Sequence, residues 1–218
     1  MNKYSKELAS KYTQCRDKYS GTDAKLFELI QQVGVKDKDV LDLGCGDGRY
    51  AAKFLEMGAK SAEGIDISPA MIELAQERHG NIEFTIGDCE NMPYKDESFD
   101  MIFSNFVLHY CEDIQKAFSE ITRTLKKGGY FIGIFNSIET DNHNILHKQM
   151  PVLLGEDDPV TVHNLMRLDG EYQDTIKSSG LNIVEFIDEP NSYAFVDPNF
   201  EYYSDIKKLK NMIFLCRK

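Results

Sequence analysis

The stretch that most constrains the fold is Val40-Leu41-Asp42-Leu43-Gly44-Cys45-Gly46-Asp47-Gly48-Arg49-Tyr50. A short apolar run, Val40, Leu41 and Leu43, reads as a buried strand. It breaks at three alternating glycines, and Tyr50 to Leu55 then reads as a helix. Glycine serves where the backbone turns with positive φ or where a Cβ would obstruct a ligand. A strand, a glycine turn and a helix start leave free N–H groups and the positive end of the helix dipole facing one point. This is the make-up of a nucleotide-type cofactor loop.

Spacing narrows the reading. The dinucleotide fingerprint is G-x-G-x-x-G with an acidic residue about 20 positions on. Here Gly44, Gly46 and Gly48 form G-x-G-x-G, and Arg49 stands where the third glycine would fall. With Asp42 ahead of it, the stretch resembles the first motif of the class I S-adenosylmethionine (SAM)-dependent methyltransferases. A glycine triplet alone leaves an NAD fold equally open, so the rest of the chain must decide.

Ser61 to Ser68 reads as a second strand ending in Asp66, 20 residues beyond Gly46. A carboxylate there can accept hydrogen bonds from both ribose hydroxyls. Ser68-Pro69 supplies the N-cap and first residue of the next helix, which frees Asp66 from capping. Ile67 beside it is a candidate to pack on adenine. Asn81 to Ile86 alternates as strand three, followed by Gly87-Asp88-Cys89-Glu90-Asn91-Met92-Pro93-Tyr94. This loop is similar to the family's Gly-Asp-x-x-x-x-Pro-Tyr/Phe. The resemblance implies that Asp88 accepts from the adenine amino group and that the Cys89 N–H reaches a ring nitrogen. The alternative for Asp88 is closure of a turn.

Strand four, Phe99 to Asn105, leads into Phe106-Val107-Leu108-His109-Tyr110. In a doubly wound sheet its end adjoins that of strand one, at the topological switch point where such sheets bind ligands. The Asn-Pro-Pro-Tyr typical of enzymes that methylate nucleic-acid bases or a protein glutamine is absent. Glu112 to Leu125 reads as a helix, and Tyr130 to Phe135 as an apolar strand five. The Leu125-Lys126-Lys127-Gly128-Gly129-Tyr130-Phe131 junction is another family hallmark.

Outside that core the patterns weaken. Residues 1–32 read as a helical lid. The resemblance points to Tyr12, in Ala9-Ser10-Lys11-Tyr12, as a cofactor contact, with Tyr19 a second candidate; core packing is the competing role of each. From 136 to 167 the pattern dissolves into a long excursion on the substrate side, of the sort that is usually functional. His143 and His147 would share one helix face, but no third ligand is apparent, so no metal site is expected. Residues 168–179 form a last helix, 181–187 strand six and 211–216 the final strand. The aromatic segment 189–210 either walls the substrate pocket or packs on the sheet edge.

Composition bounds the partners. A net charge of -11 over 218 residues argues against nucleic acid, whose binders usually present a basic face. The N-terminus has no signal-peptide pattern and no run is long enough for a membrane span, which leads to an expectation of a cytoplasmic protein. Five scattered cysteines without C-x-x-C spacing suggest free thiols.

The resemblance therefore implies a three-layer α/β sandwich: a seven-stranded, mostly parallel, doubly wound sheet with an antiparallel last strand and the N-terminal helical lid, all in one domain over 1–218. Its cofactor is S-adenosyl-L-methionine, leaving as S-adenosyl-L-homocysteine (SAH). Expected cofactor contacts are Tyr12, Asp42, Gly44, Gly46, Gly48, Asp66, Ile67, Asp88, Cys89 and Asn105, with Asp42 and the Asn105 carbonyl facing the α-amino group. His109 is the candidate general base, with Tyr110 behind it; packing or capping is the other role open to His109. The expected reaction is methyl transfer to an oxygen or nitrogen of a small molecule, by a monomer or homodimer. A peptide acceptor, a SAM-binding module without transfer, and an NAD-dependent oxidoreductase are the other readings.

Overall fold

A computed structural model describes residues 5–18, 23–154, 160–190 and 194–218. Helices α1 (Lys6–Lys18) and α2 (Asp23–Val33) precede β1 (Asp39–Leu43), α3 (Arg49–Glu56), β2 (Ser61–Asp66), α4 (Pro69–Arg78) and β3 (Glu83–Ile86). Then follow β4 (Phe99–Asn105), α5 (Ile114–Thr124), β5 (Leu125–Glu139), β6 (Gln149–Leu154), β7 (Val160–Leu165), α6 (Asp169–Ser178), β8 (Asn182–Pro190), β9 (Ala194–Val196) and β10 (Lys208–Arg217). The main sheet runs β3-β2-β1-β4-β5-β10-β8. Its first five strands are parallel, and β10 is antiparallel to both neighbours. This is the expected seven-stranded order, and the direction of winding reverses between β1 and β4.

Period-two alternation builds the two helical layers. Val40, Met101, Phe103, Ile132, Ile134, Ile213 and Leu215 point to the side of α2, α3 and α4. Their alternates Leu41, Ile102, Phe131, Phe135, Met212 and Phe214 point to α5 and α6. On α5, Phe118 and Ile121 are fully buried, each stabilising the layer by roughly 1.5–3 kcal/mol. Asp113 caps this helix by accepting from the Lys116 N–H at 3.1 Å, and Ser68 caps α4 with Pro69 in its first turn. The helix predicted over 112–125 is thus shorter, and β5 follows it at Leu125 with no loop between.

The excursion after strand five differs from expectation. β5 continues to Glu139, and β6, β7 and β9 form a second sheet, in the order β7-β6-β9. Val152, Leu154, Val160, Val162 and Val196 bury its apolar face against the α2–α4 side. Alternation is visible in hindsight at Met150, Val152 and Leu154, but the polar and histidine-rich flanks hide it.

Candidate functional site

A cleft of about 580 Å³, open to solvent at its mouth, lies at the carboxyl ends of β1, β2 and β4. Its floor is the glycine turn. The Gly44 and Cys45 N–H groups both donate to the Ile65 carbonyl, at 2.7 and 3.0 Å, and so dock the turn on β2. Gly44 has φ +73°, and a Cβ on it would lie 2.1 Å from Val107 Cγ2. Any side chain here would be strained and would push apart the two sides of the cleft. Gly46 faces open space, and its N–H donates to Asp66 Oδ2 at 3.0 Å.

Asp66 ends β2 and lines the cleft. Its Oδ1 accepts from the Ser68 N–H at 2.8 Å, so two backbone bonds hold the carboxylate at the mouth. Burial raises its pKa, while the N–H donors oppose the shift. Each oxygen retains acceptor capacity for a hydroxyl. Ile67, Gly87, Cys89 and Met71 continue this wall. Tyr12 reaches in from α1, whose Ala9 is buried. Tyr19 lies outside the described residues.

The facing wall is Asn105, Phe106, Val107 and Tyr110. Asn105 Nδ2 donates to the Tyr50 hydroxyl at 2.6 Å, and its buried Oδ1 lacks a partner among the described residues. Phe106 has φ +59°, a left-handed conformation that a bulky residue rarely adopts. Its N–H donates to the Ile134 carbonyl, so the strand is held while the chain turns into the cleft. No composition signal marks such a backbone.

Three expected contacts fall elsewhere. Asp42 shares the face of Val40 and is fully buried under α3, where its carboxylate accepts from the Ala51 N–H at 3.2 Å. Burial, with Asp47 and Asp66 nearby, pushes its pKa up to about 8. It caps a helix instead of facing an amino group. Gly48 is the α3 N-cap at φ +79°, and a Cβ on it would meet Phe84, so its role is close packing. Asp88 Oδ1 accepts from the Glu90 N–H at 2.9 Å in a tight turn, and the residue does not line the cleft.

His109 also differs. It is 1% exposed, lies behind the cleft wall, and its Nδ1 accepts from the Asn136 N–H at 3.1 Å. Burial and the neighbouring Arg167 push its pKa down to about 3. The bond to Nδ1 leaves the proton on Nε2. A neutral, committed imidazole is a packing element, not a base, whereas Tyr110, whose ring is 4.2 Å from it, does line the cleft.

A more polar branch of the cleft adjoins Thr13, Asp47, Arg49 and Tyr50. Arg49 binds Asp47 through two 2.9 Å bonds, and Arg78 also donates to it. Burial alone would raise the Asp47 carboxyl, but the two guanidinium groups bring it below its ordinary range. The cleft thus has an apolar end for a planar ring, a carboxylate for hydroxyls and a charged end. The orphaned Asn105 oxygen and the open face of Gly46 fit an amino-acid-bearing nucleoside. Among the described residues no group of three or more His, Cys, Asp or Glu could hold a metal. His147 instead lies 3.2 Å from Glu171. Also among the described residues, no helix is long and apolar enough to cross a membrane.

A doubly wound sheet with a glycine-turn cleft at its switch point and an antiparallel seventh strand defines a class of nucleoside-cofactor proteins. Residues 41–133 match the family described as methyltransferase domain. With the fold, this match makes the chain similar to the class I SAM-dependent methyltransferases, whose cofactor is SAM. Demethylmenaquinone methyltransferase of Chlorobaculum parvum is 34% identical over 99 residues, covering 45% of this chain and 41% of that protein. A malonyl-acyl-carrier-protein O-methyltransferase of Marinomonas is 28% identical over 215 residues, covering 94% and 77%. The match spans about two fifths of the length of several such relatives.

Two solved structures share the fold. A SAM-dependent methyltransferase from Mesorhizobium loti has a TM-score of 0.65 at 20% identity, covering 88% of this chain and 96% of that one. The protein described as (4+2)-cyclase SpnF has a TM-score of 0.66 at 18% identity, covering 89% and 80%. One fold evidently carries more than one reaction.

Proposed function

We propose that this chain binds SAM in the cleft and transfers its methyl group to an oxygen or nitrogen of a small molecule. The observation that carries the reading is the Asp66 carboxylate, fixed by Gly46 and Ser68 at the rim of the glycine turn. In this reading Asp66 holds the ribose hydroxyls, Ile67 and Cys89 flank adenine, and Asn105 and the Gly44–Gly46 backbone receive the methionine end. When bound, the cofactor supplies an electrophilic methyl group on a sulfonium.

The chain's own work is then positioning and water exclusion, which can supply most of such a rate. Tyr12, Phe106, Val107 and Tyr110 bound the space left for the acceptor. With His109 withdrawn, Asp66 is the one carboxylate among the described residues that line the apolar part of the cleft, and in this reading it is committed to binding. The reading therefore favours an acceptor atom that is already unprotonated or loses its proton to water. The 1–32 segment is proposed as a lid of a single 1–218 domain, with 136–167 and 189–210 on the substrate side. A cytoplasmic monomer or homodimer, free of nucleic acid and membrane, completes the proposal.

The test is a thermal-shift series with SAH, SAM and NAD(H) on wild type and Asp66→Ala. A ligand at 100 times its Kd adds about 2.7 kcal/mol to the native state. Stabilisation by the SAM pair alone, lost in the variant, supports the cofactor reading; stabilisation by NAD(H) alone overturns it. A SAM-binding chain that methylates no member of a broad acceptor panel would be a binding module.

A further inference from the structure

Two thiols meet in the wall of the cleft. Cys89 Sγ lies 3.1 Å from Cys111 Sγ, inside the van der Waals separation of two sulfurs, and both residues are buried, at 5% and 0% exposure. Both are free cysteines. They come from different segments, the turn after β3 and the turn after β4, and 22 positions separate them. A second link joins the same two segments, since Glu90 Oε1 accepts from the Glu112 and Asp113 N–H groups at 2.8 and 3.1 Å. Arg167 Nη2 holds the second of these segments in place by donating to the Cys111 carbonyl at 2.6 Å. Neither cysteine is in a helix or strand, so either sulfur can move about 1 Å without breaking a ladder.

We propose that Cys89 and Cys111 are a dithiol oxidation site that closes to a disulfide and weakens cofactor binding. The second half of this statement rests on the SAM reading above. Cys89 lines the cleft, so an oxidant reaches it through the mouth, whereas Cys111 is sealed. With hydrogen peroxide, Cys89 sulfur attacks one peroxide oxygen, the O–O bond breaks, and a sulfenic acid forms as water leaves. Cys111 sulfur then attacks Cys89 sulfur, the S–O bond breaks, and a second water leaves. Two S–H bonds are lost, one S–S bond forms, and two electrons pass to the peroxide. The facing Cys111 thiol, and then burial, raise the Cys89 pKa, which makes the first step slow until the oxidant is concentrated.

Closure to a bond of about 2.05 Å draws the sulfurs together by roughly 1 Å. Gly87 and Cys89 line one wall next to the pair, and Val107 and Tyr110 line the other. Oxidation therefore narrows the cleft between them, and by linkage a ligand filling the cleft opposes oxidation.

The experiment treats the whole protein with hydrogen peroxide, with and without saturating SAH, and then digests it with trypsin. The expected product joins the peptides 79–95 and 96–116 through Cys89 and Cys111, with a loss of two hydrogens that dithiothreitol restores. SAH should slow its formation, and the isolated disulfide form should bind SAH at least ten-fold more weakly than the reduced form. Cys111→Ala should keep the reduced affinity and lose its reversible response to peroxide. A loop closed over about 22 residues should raise Tm by roughly 6–12 °C if the denatured chain is the main thing constrained.

Failure to recover the linked peptides overturns the proposal, as does a disulfide form that binds SAH as tightly as the reduced one. If the reduced protein binds no SAH, the cofactor reading fails, the proposed coupling fails with it, and the linked peptides and Tm still decide the dithiol site.

Discussion

The two walls of the cleft are built in opposite ways. The floor and Asp66 wall use residues 44–48 and 66–68, held by backbone bonds between consecutive strands and by helix starts. The facing wall, 105–112, is held from far along the chain. Asn136 reaches His109, Ile134 reaches Phe106, and Arg167 reaches the carbonyls of Cys111 and Glu112. One wall is a local motif that needs glycine. The other is a loop whose shape is imposed by buried polar groups, each costly to leave unpaired. Binding of the cofactor should depend on the first wall, and stability and acceptor choice on the second.

The largest effect expected is from forcing the walls apart. Gly44→Val combines a positive φ with a Cβ 2.1 Å from Val107, and should cost about 3–5 kcal/mol of stability as overpacking and backbone strain add. Urea titration reads the loss, and a midpoint unchanged from wild type would show that Val107 gives way freely. Next is Arg167→Leu, which unties Cys111 and Glu112 from the small-sheet side and leaves Glu171 without its guanidinium. A cost of about 2–4 kcal/mol is expected. A weakening of SAH binding as large as that of Asp66→Ala would erase the proposed division between the walls.

Asp66→Ala should lower SAH affinity by about 100-fold, near 2.7 kcal/mol, while leaving β2 paired on both sides. Calorimetric titration measures it. A change below three-fold would remove Asp66 from the ribose role.

How far these walls were readable from residues follows the same division. Gly44, Gly46, Asp66 and Ile67 announce themselves because their chemistry is local: a turn, a spacing and a strand end. The seven-strand order is readable too, since alternating β-α units admit few right-handed connections. Asp42 misleads because strand alternation, which puts it with Val40 beneath α3, outweighs its place in the motif. His109 misleads because the Asn136 N–H that claims it is 27 positions away. The small β6-β7-β9 sheet is invisible for a related reason: its third strand pairs across a long insertion. Phe106, with its left-handed backbone, carries no signal at all.

His109 sharpens the contrast through pH. Its folded pKa of about 3 lies below the ordinary 6.5, so between those values the unfolded chain binds more protons than the folded one. Stability contributed by keeping the imidazole neutral is therefore complete above about pH 6.5 and is lost as pH falls toward 3. Asp42 works the other way: with a folded pKa near 8, the folded state holds the extra proton, and stability declines as pH rises from its ordinary 3.8 through 8. Between pH 4.5 and 5.5 the two slopes nearly cancel, so the unfolding free energy of wild type should be close to flat there. In His109→Asn, which can still accept from Asn136, it should fall as pH rises over the same range, because Asp42 is then left to set the slope. An unaltered slope in the variant would mean the imidazole already exchanges with solvent and is available to the cleft.

The smallest effect belongs to Tyr110→Phe. Tyr110 lines the cleft but sits on the long-range wall, beside the buried His109 ring. Removing one hydroxyl at the acceptor end should leave SAH affinity within about two-fold, since the ring and its apolar contact persist. The same change should lower kcat with an acceptor that hydrogen-bonds the phenol by roughly 5–10-fold, the worth of a single neutral hydrogen bond of about 1 kcal/mol. An equal fall in SAH affinity would move Tyr110 from the acceptor end to the cofactor. The dependence of binding would then no longer be confined to the glycine wall.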